Sequence, residues 1–302
     1  MRVFITGATG FIGRPLCTRL TDAGHEAVAW VRDESRARAL LNPSIKLVCA
    51  RHGGSIRDEI ALADAVINLA GEPVFGARWT PERKRAIVES RVNLTREIIE
   101  AIAEASKRPT VLVSASAVGY YGDCGDRIVE DDSPVGHDFL AAVCRDWEAA
   151  AMEAWAGGVR VFIPRIGIVL GAGGGALAAM MLPFRFGLGG PVGSGRQFVP
   201  WIHLDDMIAI IIAAVDDGRL AGPMIAAAPN PVTNGDLAHA IGRAMGRPSL
   251  IRMPAFLLRL AFGEAAMVLC GGQRVRPRKL EQAGFRWRYP TIESALAAIL
   301  KR

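Results

Sequence analysis

Three glycines carry the first chemical signal. Val3-Phe4-Ile5-Thr6-Gly7-Ala8-Thr9-Gly10-Phe11-Ile12-Gly13 places a GxxGxxG turn between a short apolar run and a helical pattern. In that setting Gly7 permits a tight turn, Gly10 lets a pyrophosphate approach the backbone, and Gly13 lets the helix pack close to the strand. The amides of this turn, those of Thr9, Phe11 and Ile12 among them, then face the phosphates of a dinucleotide at the helix start. A tight turn with no ligand is the bland alternative. The next apolar run, Ala27 to Val31, ends in Arg32, with Arg36 and Arg38 behind it. A carboxylate there would accept the ribose hydroxyls of NAD, whereas a cation suits a 2′-phosphate, so NADP(H) is expected. Asp33 leaves NAD as the alternative, but it comes one residue late and points to the opposite face if the strand continues.

Hydroxyls gather further along, in Ser114-Ala115-Ser116-Ala117-Val118-Gly119-Tyr120-Tyr121-Gly122. A serine and a phenol at the end of a strand can polarise a substrate oxygen and exchange its proton, which makes Ser116, Tyr121 and Tyr120 the catalytic candidates. Core packing would equally account for the tyrosines, and a satisfied strand-end hydroxyl for Ser116. Arg165 closes another apolar run at the same edge and is a candidate cofactor contact. His203, near a helix start, has a structural alternative. The five histidines have no HExxH or i,i+4 spacing, so no metal is expected.

Strand and helix must alternate to position these groups. Strands are expected at 2–6, 26–31, 45–49, 65–69, 110–114 and 159–163, with helices at 11–23, 81–105 and 138–155. Thr80 with Pro81 marks the start of the second of these helices. Such alternation gives a parallel sheet covered on both faces, an α/β Rossmann-type doubly wound fold with ligands at the carboxyl edge. After Leu170 the rhythm breaks into a glycine-rich stretch, a helix at about 204–215, a strand near 224–227 and further helices. The expected organisation is a binding domain over 1–170 and a smaller, mainly helical substrate lobe over 171–302, parts of which rejoin the first. Met180, Met181, Leu182, Phe184 and Phe186 are expected to line an apolar pocket or to pack the lid.

The 302-residue chain is 51% hydrophobic and 22% charged, an ordinary globular composition. Five cysteines without a CxxC pair exclude a disulfide framework and fit a reducing compartment. The N-terminus turns polar too soon for an export signal, and the longest apolar run is far short of a membrane span. A cytoplasmic protein without a membrane partner is expected. The net charge of +6 resides in the C-terminal part: residues 1–170 carry 21 basic and 22 acidic side chains, residues 171–302 carry 15 and 8. The basic cluster from Arg274 to Arg288 is short and interrupted by Pro277, which favours a solvated face or small-anion contact over nucleic acid.

The motifs resemble the extended branch of the short-chain dehydrogenase/reductase superfamily, the NAD(P)-dependent epimerase/dehydratase group. Asp64-Ala65-Val66-Ile67-Asn68-Leu69-Ala70-Gly71 is similar to its fourth strand, which implies that Leu69, Ala70 and Gly71 pass beside the cofactor. The superfamily also directs a polar side chain of the following long helix inwards, which implies Arg91 as a cofactor contact, with a solvated helix face as the alternative. Ser114 to Gly122 is similar to the segment supplying the catalytic serine, and Pro164 to Gly171 to the one after the sixth strand. Asn68-Leu69-Ala70-Gly71-Glu72-Pro73, Trp147-Glu148, Gly173-Gly174-Gly175-Ala176 and Gly189-Gly190-Pro191 through Trp201-Ile202-His203 together resemble a little-characterised "epimerase family" subgroup. The superfamily's YxxxK pair is missing, and the register back from Trp147-Glu148 puts Leu140 and Cys144 in its place. Lys84 is one candidate to replace the lysine.

The resulting expectation is an NADP(H)-dependent oxidoreductase or epimerase-like enzyme for a small carbonyl or alcohol substrate. A non-catalytic NADP(H)-binding regulator is the alternative, and a homodimer is compatible with either.

Overall fold

Residues 1–301 are described by the computed structural model. Seven strands form the central sheet: β1 (Arg2–Thr6), β2 (Glu26–Val31), β3 (Lys46–Cys49), β4 (Ala65–Asn68), β5 (Val111–Ser114), β6 (Arg160–Ile166) and β7 (Gly222–Ala226). They run parallel in the order β3-β2-β1-β4-β5-β6-β7, and Ser116–Ala117 adds a short strand beside the end of β6. The order reverses between β1 and β4, which opens a crevice at their carboxyl ends.

Period-two alternation divides the core into two layers. Val3 and Ile5 share one cluster with Leu16 and Leu20 of the helix Gly13–Asp22 and with Ile210 and Ile211 of the helix Leu204–Asp216. Phe4, Val66 and Leu112 point the other way, into a cluster with Ile98 and Ile102 of the helix Leu94–Glu104 and Ala151 of the helix Phe139–Ala156. Parallel strands buried on both faces read as continuous apolar runs, which is why β1, β4 and β5 stand out in the sequence.

One element differs from the sequence expectation. The predicted helix 81–105 is interrupted: Pro81–Val88 and Leu94–Glu104 are α-helical, but Glu89–Asn93 is a π turn. Residues 204–226 return to the main sheet, since β7 pairs with β6, so the chain beyond 170 builds both parts of the molecule. The other part has its own core, in which Leu177, Trp201, Leu237, Ile241, Leu296 and Ile299 cluster. Met180 and Met181 pack on that core and Phe184 is buried, whereas Leu182 and Phe186 are 52% and 73% exposed. These five do not gather around one pocket.

Candidate active site

Two loops meet where the strand order reverses. A Cβ on Gly7 would lie 2.6 Å from the carbonyl carbon of Leu69, and one on Gly13 2.2 Å from the carbonyl oxygen of Gly7. Gly7 also has φ +73°, a conformation that favours glycine. The turn after β1 is therefore pressed against Leu69-Ala70 after β4. The helix Gly13–Asp22 has no side-chain N-cap; the Gly10 and Arg14 amides bond the Gly7 and Gly10 carbonyls at 2.9 and 3.1 Å, and the close backbone cradle of the turn is compatible with a phosphate at the helix start. Phe11 contributes its amide to this turn while its ring fills the bend of Gly171 and Gly175, where a Cβ would lie 3.1 and 2.7 Å from it.

At the end of β2 the two charged neighbours have separate tasks. Asp33 caps the helix Glu34–Leu40, accepting from the Arg36 amide at 3.0 Å and the Ser35 hydroxyl at 2.7 Å. The Arg36 amide, aided by Ser35, holds the Asp33 carboxyl below the usual range. Arg32 is 90% exposed and its Nη1 lies 3.1 Å from Glu72 Oε1, across the mouth of the crevice. The carboxylate that would suit an NAD ribose is committed to the helix, whereas the exposed Arg32 cation pairs with Glu72 at the crevice mouth, where a 2′-phosphate would compete for it.

The π turn gives the third contact. Ser90 Oγ accepts from the Glu72 amide at 3.0 Å, and a Cβ on Gly71 would meet the Arg91 guanidinium at 3.0 Å. One extra residue in the helical turn thus brings Arg91 to the end of β4, with its guanidinium 5.3 Å from the Trp147 ring centroid. Burial pulls Arg91 below the usual guanidinium range. Its guanidinium donates to the Ile87 carbonyl and Ser90 Oγ, and no carboxylate among the described residues forms an ion pair with it. Behind it runs a buried relay: Thr6 Oγ1 donates to Asn68 Oδ1 at 2.6 Å, and Thr95 Oγ1 accepts from Asn68 Nδ2 at 2.9 Å and Trp147 Nε1 at 3.0 Å. Asn93 is exposed.

The expected catalytic hydroxyls are built into a knot around Arg165. Ser116 Oγ donates to Glu148 Oε1 at 2.6 Å. Arg165 clasps the same carboxylate, Nε to Oε1 at 2.8 Å and Nη2 to Oε2 at 2.7 Å. Its Nη1 donates to the Tyr121 hydroxyl at 2.8 Å and to the Asp131 carbonyl at 2.7 Å, and Tyr121 donates to that carbonyl at 3.2 Å. Asp131 is itself buried, its carboxylate accepting the amides of Ile225 at 2.6 Å and Lys279 at 2.9 Å. Burial drives the Tyr121 phenol up, against the opposing pull of Arg165.

The geometry gives two of the expected groups other partners. Arg165 does not reach the cofactor crevice as a free cation, because it is 4% exposed and bound to Glu148, Tyr121 and Asp131. The protons of Tyr121 and Ser116 are already spent on buried acceptors, so neither hydroxyl is a ready donor to a carbonyl. Tyr120 differs. It is half-buried, its ring lies 3.6 Å from the Arg165 guanidinium carbon, and its hydroxyl makes no hydrogen bond among the described residues. Glu148 and Asp131 were absent from the sequence-based site. The available signal was Arg165 itself, since a guanidinium inside an apolar strand requires a buried carboxylate.

The site lacks the tyrosine–lysine pair. Leu140 Cβ and Cys144 Sγ lie 3.5 and 3.9 Å from where a Cβ on Gly119 would stand, so the helix face opposite the serine segment presents these two residues. Burial, with Glu148 nearby, pushes the Cys144 thiol up to about 11. Lys84 does not substitute, as its ammonium pairs with Glu264 at 2.6 Å. His203 is buried as a helix N-cap, its Nδ1 accepting from the Asp205 amide at 3.0 Å and its ring 3.9 Å from that of Tyr289. Arg196, His239, Arg252 and Arg274 of the C-terminal part and Asp126 of the first part line a cavity of about 540 Å³.

A family model described as the NAD dependent epimerase/dehydratase family matches residues 3–225, and a domain of unknown function (DUF1731) matches residues 253–299. The chain is 40% identical to the chloroplastic SDR39U1 homolog of Arabidopsis thaliana, covering 100% of this chain and 87% of that one. It is 37% identical to the epimerase family protein YfhF of Bacillus subtilis, covering 99% and 98%. The solved structure of human SDR39U1 (isoform 2) with NADPH superposes with a TM-score of 0.87 at 34% identity, covering 100% and 99% of the two chains.

Proposed function

The chain belongs to the NAD dependent epimerase/dehydratase family, and from that premise we propose that it is an NADP(H)-dependent oxidoreductase or epimerase-like enzyme acting on a small carbonyl or alcohol. Support for NADP(H) comes from the division of labour between Arg32 and Asp33, and from the NADPH in the human relative's structure. When bound, the nicotinamide supplies or accepts the hydride. The Gly7–Gly13 turn holds the pyrophosphate, Arg32 the 2′-phosphate, and Arg91 the polar groups passing Gly71.

The observation that carries the catalytic part is Tyr120. Of the three candidate hydroxyls, Ser116, Tyr120 and Tyr121, that of Tyr120 alone is not committed to a buried acceptor among the described residues, and the Arg165 cation lies against its ring at 3.6 Å. Tyr120 exchanges a proton with the substrate oxygen, while Ser116, Glu148, Arg165 and Tyr121 fix the surface on which it lies.

A second reading is favoured by Leu140 and Cys144 in place of the tyrosine and lysine: NADP(H) is held without turnover and its redox state is passed to a partner. One experiment separates the two. Fluorescence titration with NADPH and NADH is followed by stopped-flow oxidation of bound NADPH against aldehydes, ketones and quinones, with and without anionic groups. Oxidation by one carbonyl class, lost in Tyr120→Phe, supports the enzyme; tight binding without oxidation supports the regulator.

A further inference from the structure

The helix Ala255–Phe262 reads Ala-Phe-Leu-Leu-Arg-Leu-Ala-Phe and buries none of its residues. It is firmly held all the same. Arg78 donates to the carbonyls of Leu260 and Ala261, the rings of Phe75 and Phe262 lie 4.9 Å apart, and Lys84 pairs with Glu264 at 2.6 Å. So anchored, it leaves Phe256 and Leu260 66% and 69% exposed. The neighbouring segment joins the same surface, because the amides of Ile251 and Met253 donate to the carbonyls of Gly189 at 3.1 Å and Pro191 at 2.9 Å. That splice sets Leu250, 82% exposed, beside the strip that carries the exposed Phe186 and Leu188. Exposed apolar side chains concentrated along 250–260 and the adjoining 186–188 mark a contact with something outside the chain.

Charge selects the occupant. Residues 172–204 contain Arg185 and Arg196, and residues 237–263 contain Arg243, Arg247, Arg252 and Arg259; neither stretch has a carboxylate. Among the described residues only Arg243 of these enters an ion pair, with Glu293. A second copy docked face to face would set guanidinium against guanidinium, since a twofold interface meets itself. An anionic surface has the complementary charge, and aromatic and aliphatic groups interleaved with arginine suit the boundary between headgroups and acyl chains.

We propose that this face docks on an anionic phospholipid bilayer, with Phe256 and Leu260 entering the interface and Arg185 and Arg259 meeting the headgroups. The expectation of no membrane partner rested on the lack of a spanning run, and among the described residues no helix is long and apolar enough to cross. A helix lying in the interface requires no such length.

The test is co-sedimentation of the full chain with vesicles of phosphatidylcholine alone or mixed with phosphatidylglycerol, at low and raised salt. The expected result is binding to the anionic vesicles only, weakened by salt. The double variants Phe256→Ser/Leu260→Ser and Arg185→Glu/Arg259→Glu should each reduce the bound fraction about tenfold or more. Their unfolding midpoints and NADPH titrations should match the parent. No sedimentation with anionic vesicles, or undiminished binding by both variants, overturns the proposal. So does a dimer in solution that Phe256→Ser/Leu260→Ser disperses, because a second copy then covers the face. Capture by soluble polyglutamate without capture by vesicles also overturns it, in favour of an acidic protein partner.

Discussion

Arg165 and Glu148 form a bidentate ion pair, with Nη2 2.7 Å from Oε2 and side chains 5% and 7% exposed, at the edge where the sheet meets the cofactor crevice. Two charges taken so far out of water are tolerated because every strong acceptor nearby is used: both carboxylate oxygens, the Tyr121 hydroxyl and the Asp131 carbonyl. The pair buys geometry more than stability. It fixes Ser116 from one side and the ring of Tyr120 from the other.

Breaking one half should therefore be far worse than removing both. Glu148→Gln leaves Arg165 buried without a counter-ion and is expected to cost about 3–5 kcal/mol. The double variant Glu148→Leu/Arg165→Met removes the uncompensated charge and should be less destabilised than the sum of its single variants. Urea midpoints read both. A Glu148→Gln protein of parental stability would mean that the ion pair does not exist in solution.

The two adjacent tyrosines should separate stability from turnover. Tyr121→Phe removes the hydroxyl between Arg165 and Asp131 and is expected to cost roughly 1 kcal/mol of stability, with a smaller effect on the chemical step. Tyr120→Phe should leave the urea midpoint in place and slow hydride transfer by about 10²-fold or more, the usual worth of a positioned acid or base. The reverse pattern would return the catalytic role to Tyr121.

Much of the crevice was legible in sequence, and the reason is local. Gly7, Gly10 and Gly13 sit within one strand-turn-helix unit, and Arg32 follows directly on an apolar strand, so no long-range information is needed to place them. The knot around Arg165 joins Ser116, Glu148, Tyr121 and Asp131 from four separate segments, and on a helix Glu148 reads like any solvated acid after Arg145 and Asp146. Nor does sequence say which of two consecutive tyrosines turns inwards. The π turn at Glu89–Asn93 was equally hidden, because one extra residue in a turn hardly disturbs the apolar spacing on either side.

Cofactor preference should follow Arg32. Arg32→Asp replaces the cation at the end of β2 while Asp33 remains the N-cap. NADPH affinity should fall by about 10-fold or more relative to NADH, as expected for losing a charge-assisted contact to the 2′-phosphate. Fluorescence titration with each dinucleotide gives the ratio. An unchanged ratio would put the 2′-phosphate elsewhere.

Buried thiols set an alkaline limit on stability. The Cys144 thiol, ordinarily near 9.0, is pushed up to about 11, and Cys17 to about 12, in both cases chiefly by burial. Between these values the unfolded chain has lost thiol protons that the folded chain keeps, so unfolding releases protons. The stabilising contribution is complete below pH 9 and is lost as the pH rises towards 11 and 12. Urea midpoints should fall between pH 9 and 11, by roughly 1 kcal/mol per thiol per pH unit once the unfolded thiols ionise. Cys144→Ala should flatten that slope, whatever its effect on stability at pH 7. An equal slope in the variant would mean that Cys144 is accessible, and rapid iodoacetamide labelling of the native protein should then accompany it.

Two glycines at the crevice should respond differently to the same methyl group. In Gly13→Ala the new Cβ would fall 2.2 Å from the Gly7 carbonyl oxygen, and backbone on both sides leaves it nowhere to go. That variant should lose both NADPH binding and several degrees of unfolding midpoint, consistent with about 1–3 kcal/mol of overpacking. In Gly71→Ala the nearest atoms, at 3.0 Å, belong to the end of the Arg91 side chain, which can swing aside. Its unfolding midpoint should stay near that of the parent while the NADPH dissociation constant rises, because the displaced group is the proposed cofactor contact. Adding Arg91→Ala to Gly71→Ala should then weaken binding no further than Arg91→Ala alone. If the two effects instead add in full, Gly71 acts through the backbone and Arg91 does not touch the cofactor.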